Sequence, residues 1–141
     1  MEESFIQAAG RHLHDAEILL SQHRWDNAVY LAAYVVECAF KVIVEQYIKN
    51  QACSKFGHDL TELQGKAVER LRVMYPILDT QLPISRTNGT VLADDHPERR
   101  YAKSDLWCES QAIEAVKRAG KIYNEIIPRL ILDGRISSGE I

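Results

Sequence analysis

Residues Trp25 to Asn50 read WDNAVYLAAYVVECAFKVIVEQYIKN, a run with no glycine and no proline. It is far longer than a typical strand, so the reading is a helix. As a helix it is apolar around most of its circumference, which requires several packing partners and places it at the centre of a helical bundle. Asp26 or Asn27 supplies a start signal, with acidic charge favoured in the first turn. One narrow seam breaks the apolar surface. Tyr30, Tyr34, Glu37 and Lys41 follow at steps of four, three and four, and every other position from Ala28 to Val44 is apolar. At helical pitch the four fall within a sector of roughly 60°.

A buried helix holds Glu and Lys only if each is paired or reaches water. Glu37 and Lys41 stand in the favourable i, i+4 order, although an exposed pair of that kind contributes only about 0.3–0.5 kcal/mol. Two readings of the seam follow. In one it is an internal polar network that fixes helix register, completed by Arg100 and Tyr101, with the guanidinium gripping Glu37 in bidentate fashion. In the other it is a polar cleft, open to solvent or to a second protomer, that binds a nucleotide or an RNA end. Solvent exposure at Glu37 and Lys41 separates the two.

The flanking segments supply the partners. From Ser4 to Ser21, Ile6, Ala9, Leu13, Ala16 and Leu20 recur at helical spacing, and Gly10 weakens that helix slightly. A short connection at His23 to Asp26 implies an antiparallel neighbour. A third helical segment opens at Phe56-Gly57-His58-Asp59, where Asp59 and Glu62 have the form of a capping box with Asp in place of the usual Ser or Thr. Leu60, Leu63, Ala67, Leu71 and Met74 are its inward positions, and Pro76 ends it near Tyr75. Leu82 to Leu106 has no clear period, and so long a loop is either functional or poorly ordered. The last helix spans about Glu109 to Leu132, with Ile113, Val116, Ile122 or Tyr123, Ile126 and Leu130 inward and a kink expected at Pro128.

With 141 residues and 46% hydrophobic content, the chain is expected to form one domain over 1–133, followed by a polar tail over 134–141 that frays. A formal net charge of −3 gives no global basic field for nucleic acid or an anionic membrane. Cys38, Cys53 and Cys108 have no CxxC spacing and are odd in number, which argues for a reducing cytoplasm over a disulfide framework. The N-terminal residues lack the pattern of a signal peptide, and Ala28 to Val44 reads as too short and too charged for a membrane span. No cofactor loop is evident. No metal site is expected either: His12 and His14 project to different faces, and short acidic runs such as Asp94-Asp95-His96 rarely ligate.

The run DNAVYLAAYVVECAFK, the downstream GHDLTEL and the later RRY resemble the HEPN domain of prokaryotes, and the resemblance spans most of the chain. Its most specific piece is Tyr-x3-Tyr-x2-Glu-Cys-x2-Lys, with His58-Asp59-Leu60 after a short gap. The resemblance implies an all-α, up-and-down bundle of four to five helices, a homodimer, and a toxin–antitoxin or defence role, often beside a minimal nucleotidyltransferase. Ribonuclease members share an Arg followed after four to six residues by a His. Here Arg11 precedes His14 by too little, Arg86 precedes His96 by too much, and His58 has no suitable Arg upstream. Metal-independent RNA cleavage by that pair is therefore not expected, and no catalytic residue is assigned.

The expected site residues are Tyr30, Tyr34, Glu37, Lys41, His58, Asp59, Arg100 and Tyr101. His58 is either a hydrogen-bonded residue at a helix start or a general base or phosphate contact. The segment Glu98-Arg99-Arg100-Tyr101-Ala102-Lys103 is either a phosphate contact or a solvated loop with one anchoring residue. The leading expectation is a module that binds a nucleotide, RNA or partner protein. Its rivals are a ribonuclease with a shifted site around His58 and Arg100, and a purely structural interaction subunit.

Overall fold

The structure is a computed structural model that describes residues 1–47, 57–74, 87, 90–94 and 96–141. The first helix, Phe5–Ser21, is capped by Ser4, whose hydroxyl accepts the Gln7 N–H. His23 then takes a positive φ of 59°, and the chain reverses directly into the central helix, Trp25–Tyr47. The C-terminal helix, Glu109–Leu132, completes a mutually packed trio with these two. A third helical run packs on the central helix in three parts: Leu60–Glu62, a wider π-type turn Leu63–Val68, and Glu69–Met74. No strand occurs among the described residues.

Ala28, Val29, Ala32, Val35, Val36, Ala39, Phe40, Val42, Ile43 and Val44 of the central helix all lie in the core. Each buried Val, Ile or Phe contributes about 1.5–3 kcal/mol relative to exposure, which is why this helix organises the rest. By length and composition it is also sufficient to cross a membrane, contrary to the expectation from Ala28–Val44 alone, but most of its apolar window is buried inside the bundle. A Cβ placed at Gly10 would lie 3.4 Å from the Tyr123 hydroxyl, so the first and last helices meet there at about van der Waals contact.

Several boundaries differ from expectation for identifiable reasons. The central helix begins one position before Asp26, with Ala28 N–H bonded to Arg24 C=O. Asp26 is not its cap, because its carboxylate is engaged by backbone N–H groups of 105–107. In the last helix Ile113 is 45% exposed, while Ala112, Ala115, Val116 and Ala119 face inward. The small residues let this helix sit close to its neighbours, and the buried face is rotated accordingly. That helix continues through Pro128 to Leu132. The π-type turn brings Gln64 and Val68 into the interior beside Leu60, Leu63 and Leu71. The side chains of Ala67 and Met74, the stop at Tyr75-Pro76, Cys53, and residues 82–86, 88, 89 and 95 of the Leu82 to Leu106 segment lie outside the described residues.

Two further segments are better anchored than the sequence suggests. Thr87 is buried, and its N–H and hydroxyl both donate to Gln64 Oε1, at 2.9 and 2.6 Å. In the C-terminal tail Ile136 is buried, and the Arg135 guanidinium lies 3.8 Å from the Tyr47 ring centroid while donating to Gln46 C=O. Apolar burial at Ile136 and cation–π contact at Arg135 offset the ordering entropy that frays most termini.

Candidate functional site

Glu37 is the hub of the seam and is 2% exposed. Its Oε1 accepts from Lys41 Nζ at 2.8 Å and from His58 Nδ1 at 2.9 Å, and its Oε2 accepts from His96 Nε2 at 3.0 Å. Burial pushes the Glu37 carboxyl up, but the hydrogen bonds from His96, Lys41 and His58 outweigh it and leave it below its ordinary value. The carboxylate thereby sets the tautomers of two imidazoles. In neutral His58, Nδ1 carries the proton and Nε2 is the acceptor; in His96 the roles are reversed. His96 is completely enclosed, and its Nδ1 has no partner among the described residues. The His58 side chain is half exposed. Asp59 caps the third helix, its Oδ1 accepting the Glu62 N–H at 2.9 Å, which fixes the chain at His58.

Tyr34 stands between these histidines and the open end of the seam. Its ring meets His96 edge-on at 4.7 Å and His58 at 5.7 Å, and it stacks edgewise with Tyr30 at 5.1 Å. Burial, followed by the Tyr30 hydrogen bond, raises the Tyr34 hydroxyl well above its ordinary value. Lys41 is 5% exposed, and its ammonium lies 5.1 Å from the Phe5 ring centroid.

Of the two partners expected for Glu37, Lys41 is found and Arg100 is not. Arg100 is exposed; it hydrogen-bonds Tyr30 and lies 4.7 Å from the ring of Tyr101, itself 79% exposed. Its predecessor Arg99 is the buried one, and it donates to backbone carbonyls of Val91, Leu92 (3.0 Å), Asp94 (2.9 Å) and Val29 (3.3 Å). Arg99 is therefore the anchor of the segment 98–103, and a short 3-10 turn, Glu98–Tyr101, directs Arg100 outward. Sequence reasoning missed His96 as the third ligand of the carboxylate, because a separation of 59 positions leaves no periodic signal.

Two clefts flank the seam. The first, of about 420 Å3, is lined by His23, Arg24, Trp25, Asp26, Asn27 and Tyr30 at the start of the central helix, and by Arg99, Arg100 and the segment 102–107. Four cationic side chains face two acidic ones there, in a chain whose net charge is negative. Trp25, Tyr30 and Trp107 give it aromatic walls, and Trp25 is stacked on His23 at 5.0 Å and 19°. The second cleft, of about 500 Å3, is lined by His58, Asp59, Thr61, His96, Pro97 and Glu98, among others. Its acidic side chains, Asp59 and Glu98, make it the less favourable of the two for an anion. Arg100 lines the first cleft and His58 the second, so the structure does not join them in one site. Among the described residues no group of His, Cys, Asp or Glu is arranged to hold a metal.

Comparison with known proteins agrees with this architecture. No curated protein and no solved structure gives a match. The HEPN domain family matches residues 2–130, from before the first helix almost to the end of the last. HEPN domains are in general associated with nucleotides or RNA. A match over nearly the whole bundle, with the seam residues at its centre, establishes that this chain belongs to the HEPN domain family.

Proposed function

We propose that this chain is a binding module for a nucleotide or for RNA, and that the ligand occupies the first cleft. The observation that carries this reading is the lining of that cleft: Arg24, Arg100 and Lys103 for phosphate, beside Trp25, Tyr30 and Trp107 for a base. Its volume lies within the about 300–1,000 Å3 usual for small-ligand sites. The sealed Glu37 network serves as the pillar beneath it, with Tyr30 as the residue shared by seam and cleft. In keeping with the family, the module works as a homodimer in the cytoplasm, in a toxin–antitoxin or defence setting, beside a partner such as a minimal nucleotidyltransferase. Titration of the full chain with adenosine 5′-monophosphate and with a short single-stranded oligoadenylate tests the reading. Arg100→Ala with Lys103→Ala should weaken binding strongly while the fold persists. No binding of either probe by the unaltered chain would overturn it.

One observation favours a second reading, a ribonuclease with a displaced site. The His58 imidazole is oriented through Nδ1 by a buried carboxylate and is half exposed, an arrangement that lets Nε2 accept a proton from a substrate hydroxyl. Incubation with RNA beside His58→Ala decides it: cleavage equal in both proteins, or absent in both, removes the idea.

A further inference from the structure

Asp26 lines the cationic cleft, and an unengaged carboxylate in that position would repel phosphate. Its carboxylate, however, faces inward on the backbone. Oδ2 accepts the N–H groups of Asp105 at 2.8 Å and Leu106 at 3.4 Å, and Oδ1 accepts that of Trp107 at 2.8 Å. Asp105 has a φ of 66°, in the left-handed region, so the chain turns sharply where these amides meet the carboxylate. The two 2.8 Å bonds, from Asp105 and Trp107 to one carboxylate, have the length of charge-assisted bonds, stronger than their neutral counterparts, and the 3.4 Å contact of Leu106 adds little. They hold the segment that carries Lys103 and Trp107 against the start of the central helix. At the other end of the same segment, Arg99 ties it to the central helix through Val29 C=O.

We propose that Asp26 is the positioning residue of the ligand cleft, a clamp that sets the distance between its two walls; the inference rests on the binding reading above. It has a signed consequence. If Asp26 were a bystander, removing its charge would strengthen the binding of an anion. As a clamp, its loss weakens binding, because the cationic and aromatic walls separate. The experiment compares the full chain with Asp26→Asn and Asp26→Glu, using adenosine 5′-monophosphate and short oligoadenylate as probes, together with amide hydrogen exchange without ligand. Asp26→Asn should lose about tenfold in affinity, the scale of one charge-assisted hydrogen bond. The amides of 105–107 should exchange faster in it, while those of the first and last helices are unchanged. Asp26→Glu, which retains the carboxylate, should recover most of both. Equal or tighter binding by Asp26→Asn, unchanged exchange at 105–107, or no recovery in Asp26→Glu overturns the proposal. If the unaltered chain binds neither probe, the binding reading fails, and the exchange data still decide whether the clamp exists.

Discussion

Glu37 on the central helix and Arg100 on the turn beside it are both charged side chains, yet their surroundings have opposite character. Glu37 is 2% exposed and accepts from Lys41, His58 and His96, whereas Arg100 is exposed on a short turn beside Tyr30 and Tyr101. The first arrangement is costly to disturb, because Lys41 and His96 lose their acceptor where water does not reach, although His58 can turn to solvent. The second is inexpensive to alter and free to meet a ligand. One seam on one helix thus serves two purposes, with Tyr34 as the boundary between them.

The sharpest way to break this comparison is Glu37→Ala. Removing one member of a buried charged cluster costs about 3–5 kcal/mol, a large share of the stability of a domain of this size. Urea unfolding should register that loss, while Arg100→Ala stays within about 0.5 kcal/mol of the unaltered chain. Comparable losses for the two variants would erase the distinction between the sealed and open ends.

Acid sharpens the same contrast with a smaller effect. The Glu37 carboxyl lies below its ordinary value of 4.5 because hydrogen bonds from His96, Lys41 and His58 outweigh burial. A group depressed in the folded state stabilises fully above its unfolded value, and that contribution drains away as pH falls through the folded value. The stability difference between the unaltered chain and Glu37→Gln should therefore hold steady above about pH 4.5 and narrow below it. A difference that stayed constant through the acid range would show that the carboxylate is not held in its ionised form.

At the open end, Lys103→Ala is expected to leave urea unfolding nearly unchanged and to weaken oligoadenylate binding several-fold at low salt. The salt dependence should become shallower, since each phosphate contact contributes about 0.7 to the slope for a single strand. A lower affinity with an unchanged salt slope would place Lys103 away from the phosphates.

How much of this was legible depended on sequence distance. The Glu37–Lys41 pair lies one helical turn apart, and the Asp59 cap lies beside the helix it starts, so both followed from local rules. His96 reaches Glu37 from another part of the chain, and only the packed structure brings it there. Arg99 and Arg100 are adjacent and chemically identical; the 3-10 turn points them apart, and only Arg99 meets the carbonyls of Val29, Val91, Leu92 and Asp94. The same holds for Ile113, where hydrophobicity favoured burial but close packing of Ala112, Ala115 and Ala119 turned the face away. The π-type turn at Leu63–Val68 has no residue signature, so the inward position of Gln64 was not foreseeable.

The smallest effect concerns His12, whose ring lies 5.8 Å from that of Tyr34. Burial and then Arg11 push its imidazole below the ordinary 6.5, while Asp15 and Glu37 pull it upward. The balance implies that His12 favours its neutral form on folding, so its contribution to stability is complete above about pH 6.5 and declines as pH falls through the folded value. Proton NMR should place its titration midpoint below 6.5. In Glu37→Gln the midpoint should move lower still, because the charge that pulled it upward has gone. A midpoint that is unmoved in that variant would mean that the sealed carboxylate is neutralised so fully by its partners that the first helix does not sense it. The separation between sealed and open ends would then be stricter than the present geometry requires.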